Sequence, residues 1–212
     1  MRISRTLLAG VAAATALTVS VAGCGGHKTG GNKTLSPTST TKSGSATSAT
    51  SSPGPASSVP AEPGDYTGLL IQATDINAPE QFTASPPIKN PNGQPGVATT
   101  FSTQDGGHEI QDTIQVLADP AAATNALNAA KGGQANEIKN PKTRSANVGT
   151  GATTLSGNKP DGSKGVLILL FTEGKAFVTL AFYGPVDALP PEDFVSDVGG
   201  KQDAAVKKGL GG

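Results

Sequence analysis

Two adjoining apolar segments near the C-terminal end constrain the fold more than anything else in the chain. Val166-Leu167-Ile168-Leu169-Leu170-Phe171-Thr172 is followed, after a tight turn around Glu173-Gly174, by Ala176 to Tyr183. Short runs rich in β-branched and aromatic residues, bounded by a polar turn, are the pattern of a β-hairpin. Val166 to Leu170 is continuously apolar rather than alternating, so that strand is expected to be central and covered on both faces. Phe177, Leu180 and Phe182 extend the same core.

The elements around this hairpin follow from shorter signals. Asp65 is placed to cap a helix running through Ala73, with Leu69, Leu70 and Ala73 at helical spacing. Asn77 to Gly96 is rich in Pro and Asn and is expected to be loop, interrupted by a short strand around Phe82. Val97–Thr103 and Glu109–Ala118 alternate, and Gly106-Gly107 between them completes a second hairpin. Asp119-Pro120 is a cap with proline at the first helical position, launching an Ala-rich helix to Lys131 that Gly132-Gly133 should end. Its apolar face comprises Ala123, Ala126, Leu127 and Ala130. Strands are expected over 144–148 and 152–156. Pro190-Pro191 opens a last helix with Phe194, Val195, Val198 and Val206 toward the sheet, and Gly199-Gly200 should break it, each glycine costing about 1 kcal/mol relative to alanine. Helices and strands do not alternate regularly, so the fold class is α+β, a mostly antiparallel sheet with helices packed on it.

The other end of the chain has a different chemistry. Arg2 and Arg5 precede an uncharged, mostly apolar run from Leu7 to Ala22, and Val21-Ala22-Gly23-Cys24 closes it with the chain's one cysteine. This is a secretory signal ending in a lipobox. Cleavage is expected between Gly23 and Cys24, with diacylglycerol and an N-acyl chain on Cys24 as the membrane anchor. Two or three acyl chains hold stably, since each buried methylene contributes about 0.8 kcal/mol. The run is short of the roughly 20 apolar residues a spanning helix needs. Residues 25–62 are dominated by Ser, Thr, Gly and Pro, a composition that cannot offset chain entropy by burial. The expected organisation is therefore a signal peptide over 1–23, lipidated Cys24 with a disordered tether over 24–62, and one extracytoplasmic domain over 63–212. As a flexible coil the tether would reach roughly 35 Å. Its Ser/Thr cluster from Thr34 to Ser58 is also a candidate for O-glycosylation.

Charge and residue inventory narrow the function. The chain is formally neutral, but residues 63–212 carry 11 Lys and Arg against 15 Asp and Glu. A mildly acidic domain does not suit nucleic acid. With Cys24 acylated, no thiol remains for a disulfide, a zinc site or a nucleophile. His108, beside Gly106-Gly107, has no Gly-x-Ser-x-Gly elbow to serve and is expected to be a solvated turn residue. His27 lies in the tether without a ligand partner at metal spacing. Gly149-Thr150-Gly151 begins like a phosphate loop but lacks the lysine, so it is expected to be a strand connection. Asn158 to Lys164 is a polar turn whose two lysines could hold an anion. Glu192 and Asp193 occupy the first turn of the last helix, where the helix dipole stabilises them, and Lys207 and Lys208 mirror them at its end. No catalytic residue, metal or cofactor is expected.

Val-Ala-Gly-Cys, the Ser/Thr/Pro tether and the alanine- and glycine-rich domain together resemble a mycobacterial or related actinobacterial surface lipoprotein. Leu69-Leu70-Ile71-Gln72-Ala73-Thr74-Asp75-Ile76 with Phe82, and Asp119-Pro120-Ala121-Ala122-Ala123, are similar to actinobacterial sensor-like domains. The resemblance implies a non-enzymatic, extracytoplasmic binding or interaction module at the cell envelope, with a lipid or wall component as partner. The sensor domain attached to a mycobacterial Ser/Thr kinase is held by disulfides, whereas residues 63–212 contain no cysteine. The first alternative is a lipid or glycolipid carrier with an acyl cavity under the 166–183 hairpin, its candidate ligand-facing residues being Leu167, Leu169, Phe177 and Phe182. The second is a cell-wall-acting enzyme, weakened by the shortage of His, Cys and clustered carboxylates.

Overall fold

The hairpin stands near the middle of the sheet, as its composition requires. The structure is a computed structural model that describes residues 64–211. The expectations for Gly23, Cys24 and the tether lie outside the described residues. Eight strands form one sheet: β1 (Phe82–Ala84), β2 (Ile88–Lys89), β3 (Gly96–Thr103), β4 (Glu109–Val116), β5 (Lys139–Ser145), β6 (Thr150–Asn158), β7 (Gly165–Glu173) and β8 (Ala176–Gly184). Their order is β1-β3-β4-β8-β7-β6-β5, with β2 also on β3, and every pair is antiparallel. β7 and β8 pair from Gly165 opposite Gly184 to Glu173 opposite Ala176, closing over Gly174-Lys175.

Two helices, α1 (Pro120–Ala135) and α2 (Glu192–Leu210), cover the two faces. Because successive strand residues point to opposite sides, the continuous apolar run of β7 feeds two cores. Leu167, Leu169 and Phe171, with Val178, Leu180 and Phe182, pack with Val195, Val198 and Val206 of α2. Val166, Ile168 and Leu170, with Phe177 and Ala181, pack with Ala122, Ala123 and Leu127 of α1. Both cores draw on residues between Tyr66 and Leu210. That is the physical basis for expecting this stretch to fold without the residues before it. The architecture is the expected α+β one, a mostly antiparallel sheet with helices packed on it.

Four expectations are corrected locally. The helix from Asp65 to Ala73 is replaced by two 3-10 turns, Thr67–Leu69 and Ala73–Asp75, separated by extended chain. The reason lies 131 residues away: buried Gln202 of α2 accepts the Ile71 amide at 3.2 Å, and its Nε2 donates to the Leu69 carbonyl at 2.7 Å. These side-chain bonds satisfy backbone groups that a helix would pair internally. Asp65 lies one residue before the cap position, which Tyr66 occupies, and accepts the Thr67 amide at 3.1 Å.

The Ala-rich helix begins as expected, with Asp119 Oδ1 accepting the Ala122 amide at 2.8 Å. It does not end at Gly132-Gly133 but continues to Ala135. Neither glycine takes the left-handed conformation that ends helices, and the preceding turns are held on the sheet through Ala123 and Leu127. The last helix is not broken at Gly199-Gly200 either. A Cβ at Gly199 would lie 2.6 Å from Leu169 Cδ2 and 3.3 Å from Val148 Cγ2, so glycine there permits the close approach of α2 to β7. Finally, the strand expected at 144–148 lies at Lys139–Ser145. It is an exposed edge with Pro141 inside it and an irregular register between Lys139 and Lys142. Proline is tolerated there because an edge strand has one unpaired side.

Candidate functional site

At one end of the sheet the α2 side of the core opens into a groove with a volume of about 720 Å³. The room arises where strand ends, a loop and a helix start meet. Phe82 of β1, Ile110 of β4 and Phe182 of β8 belong to the core on that face and form the floor. Phe194, in the first turn of α2, meets Phe182 edge to face, with ring centroids 6.0 Å apart and planes at 72°. Asn77 to Glu80 form one bank and Ala188 to Pro191 the other. Such a volume is in the range of small-ligand sites, which typically combine an apolar lining with a few polar groups.

The polar groups here are mostly acidic. Glu80, Glu109, Asp193 and Asp197 line the groove together with His108. Nδ1 of His108 is 3.7 Å from Glu80, and both side chains are at least half exposed. Glu109 faces Lys164 at 3.8 Å, and Asp197 is bonded by Lys201 at 2.7 Å within α2. Asp193 Oδ1 accepts the Phe194 amide at 2.9 Å. Glu192, beside it, pairs with Arg144. Both carboxylates thus sit at the positive end of the α2 dipole, as expected from their positions.

Two hydroxyl-bearing residues, Thr103 and Tyr183, belong to the lining. Thr103 is its one Ser or Thr, and that hydroxyl is already engaged. It donates to Asp105 at 2.7 Å and accepts the His108 amide at 3.0 Å. The Thr103 hydroxyl and the Gly107 amide hold the Asp105 carboxyl below its usual range. His108 therefore has no free hydroxyl nucleophile from Ser or Thr in the groove wall. Among the described residues no three His, Cys, Asp or Glu gather as a metal site.

Of the four residues expected to face a ligand, only Phe182 lines this groove. Leu167 and Leu169 share its face but lie in the packed core, Leu169 being fully buried. Phe177 points to the opposite face, under α1. The room is thus at the end of the hairpin rather than beneath it. Residue-level reading missed His108, Glu109, Glu80 and the Ala188–Pro191 bank as parts of one site. The signals present were an isolated Phe82 in a loop-rich stretch and Phe194 directly after a Pro-Pro start.

Other sequence candidates resolve into structural roles. Gly149 precedes β6, but Thr150 and Gly151 lie inside it, so the expected strand connection is in part a strand irregularity, with both glycines at positive φ and the register with β7 shifting between Thr150 and Thr153. In the 158–164 turn, Lys159 lies 4.9 Å over the Tyr183 ring and Lys164 faces Glu109, so both lysines are engaged within the chain. Lys207 bridges Asp203 at 2.7 Å and Glu173 at 3.6 Å, tying α2 to the end of β7. Burial and the neighbouring Asp203 raise the Glu173 carboxyl above its usual range.

One buried group stands apart from all of these. Asp112, on β4 between Ile110 and Ile114, is fully buried, and neither of its carboxyl oxygens has a hydrogen-bond partner. Its cross-strand neighbours are Thr99 and Leu180. Burial alone pushes its pKa up to about 8.

No family model matches the chain, and no curated protein matches it in sequence. Among solved structures, it is similar to the crystal structure of the extracellular domain of PknH from Mycobacterium tuberculosis. The TM-score is 0.49 at 10% identity, over 72% of this chain and 98% of that one.

Proposed function

We propose that this chain is a lipid-anchored lipoprotein of the cell envelope, whose domain binds a ligand without catalysis and does so in the groove floored by Phe82, Ile110, Phe182 and Phe194. Cys24 would carry the acyl anchor on the extracytoplasmic face of the membrane, and residues 25–62 would hold the domain away from the bilayer. The observation that carries the binding role is the groove itself: an apolar floor beside a His108–Glu80 pair, with its threonine hydroxyl already committed. An apolar concavity with few free reactive groups suits retention of a molecule rather than its transformation.

A lipid or glycolipid carrier is the second reading, favoured by the same apolar floor, with the site moved from beneath the hairpin to its end. Both readings are tested by native mass spectrometry of the protein extracted from its membrane, beside an Ala188→Trp variant. Ala188 is an exposed residue of the bank, so the indole obstructs the groove without disturbing either core. A co-purifying mass present in the parent and lost in the variant is the expected result. Equal retention by both would refute the groove as the site. The anchor has a separate test: Cys24→Ala should abolish incorporation of labelled palmitate and leave the precursor uncleaved at Gly23. Unchanged labelling would remove it.

A further inference from the structure

We propose that the groove selects a cationic amphiphile, a small molecule with an amine or quaternary ammonium head on an apolar body. This deepens the binding role proposed above and rests on it. The lining contains four carboxylates and neither lysine nor arginine. Two lysines outside the wall pair with lining carboxylates. Lys164 faces Glu109, while Lys201 bonds both Asp197 and the Asp75 carbonyl at 2.7 Å. Glu109 and Asp197 are balanced by these lysines, so the uncompensated carboxylates are Glu80 and Asp193, and an anionic head, such as a fatty acid carboxylate or a phosphate, would enter beside them with no Lys or Arg in the lining to meet it. A like charge near these groups is repelled, and in a half-enclosed site that repulsion is less screened than in bulk water.

The one feature favouring an anion is the α2 N-terminus, whose dipole presents positive potential to the groove. Glu192 and Asp193 sit in that first turn, and Asp193 already accepts the Phe194 amide, so the end is neutralised from within the chain. The floor completes the match. Phe182 is nearly buried beneath the groove, whereas the half-buried Phe194 offers aromatic surface to an apolar body, and aromatic rings attract ammonium groups within about 6 Å of the centroid.

The test uses residues 63–212, whose two cores are self-contained. Calorimetric titration compares decyltrimethylammonium with decyl sulfate, equal in chain length and both kept below micelle formation, and with tetramethylammonium, which has the head alone. Amide NMR shifts at Ile110 and Phe194 report whether the groove is the place bound. Decyltrimethylammonium should bind roughly tenfold more tightly than decyl sulfate, the scale of a few partly exposed charge interactions acting together. Tetramethylammonium should bind far more weakly than either. A Glu80→Gln/Asp193→Asn variant, altered only at exposed side chains, should shrink the preference for the cation to about twofold. Equal binding of both decyl probes with shifts in the groove would overturn the cationic selectivity while leaving the groove as a ligand site. Tight binding of tetramethylammonium would overturn the need for an apolar body. Shifts confined to other regions, or no binding of any probe, would overturn both this selectivity and the groove as the binding site.

Discussion

Asp112 makes stability depend on pH in a direction opposite to that of an ordinary paired carboxylate. Its folded pKa is about 8 against an ordinary value of 3.8, and burial is the cause. Because the folded value is raised, the native state binds more protons than the unfolded chain across the whole interval between the two. Stability contributed by this group is therefore intact below pH 3.8, falls as pH rises, and levels off above pH 8. At pH 7 the unfolded chain gains the free energy of ionising Asp112 and the folded one does not, a difference of about 4 kcal/mol at 1.36 kcal/mol per unit. Asp112→Asn removes the titration while keeping two polar atoms in the same buried space. At pH 4 the variant should be no more stable than the parent, since both leave a neutral polar group unpaired. At pH 7 it should be more stable by an amount on the order of 3–4 kcal/mol. Asp65, Asp105 and Asp161, all with lowered pKa, impose the opposite slope on both proteins, so the informative quantity is the difference between the two curves. Urea unfolding from pH 4 to 8, with equal m-values as the check on the unfolded state, measures it. A difference that stays constant with pH, or a variant less stable at pH 7, would refute the placement of an unpaired carboxyl in this core.

The paired glycines of α2 should respond in opposite senses. Gly199→Ala forces a methyl against Leu169 and should destabilise by roughly 1–3 kcal/mol, whereas Gly200→Ala, with nothing within 4 Å, should stabilise by about 0.5–1 kcal/mol. Thermal unfolding of the two single variants decides this, and stabilisation by both would contradict the close helix-to-strand contact. Gln202→Leu should cost on the order of 2–4 kcal/mol by leaving the Ile71 amide and Leu69 carbonyl buried without partners. Hydrogen exchange at Ile71 should accelerate with it, and unchanged protection there would show that the amide is satisfied in another way.

What could be read ahead of the structure follows a physical division. Strands β3, β4, β7 and β8 and the start of α1 announce themselves because alternation, continuous apolarity and the Asp119-Pro120 cap are local consequences of burial and backbone chemistry. β5 did not, since Lys139 to Ser145 is exposed along its whole length and exists as a strand through pairing with β6. The extended Leu70–Gln72 segment was hidden for a related reason: helical spacing there is genuine, but Gln202 overrides it from 131 residues away. The groove was the least legible part. Phe182 was in view as an apolar residue, yet Glu80, His108 and Asp193 come from three separated segments and meet only when strand ends, loop and helix start converge.

By itself, then, the sequence determined the class of fold and its centre, because a hairpin apolar on both faces must be covered on both. It also confined sulfur chemistry to Cys24, the one cysteine in the chain. Only the tertiary structure decided that α2 runs unbroken, with Gly199 placed where the helix must come close to Leu169 and Val148. It alone decided that the room lies at the end of the hairpin with carboxylates around it. Local pattern reports which residues need burial, whereas the position and charge of a concavity depend on which distant segments are brought to the same edge.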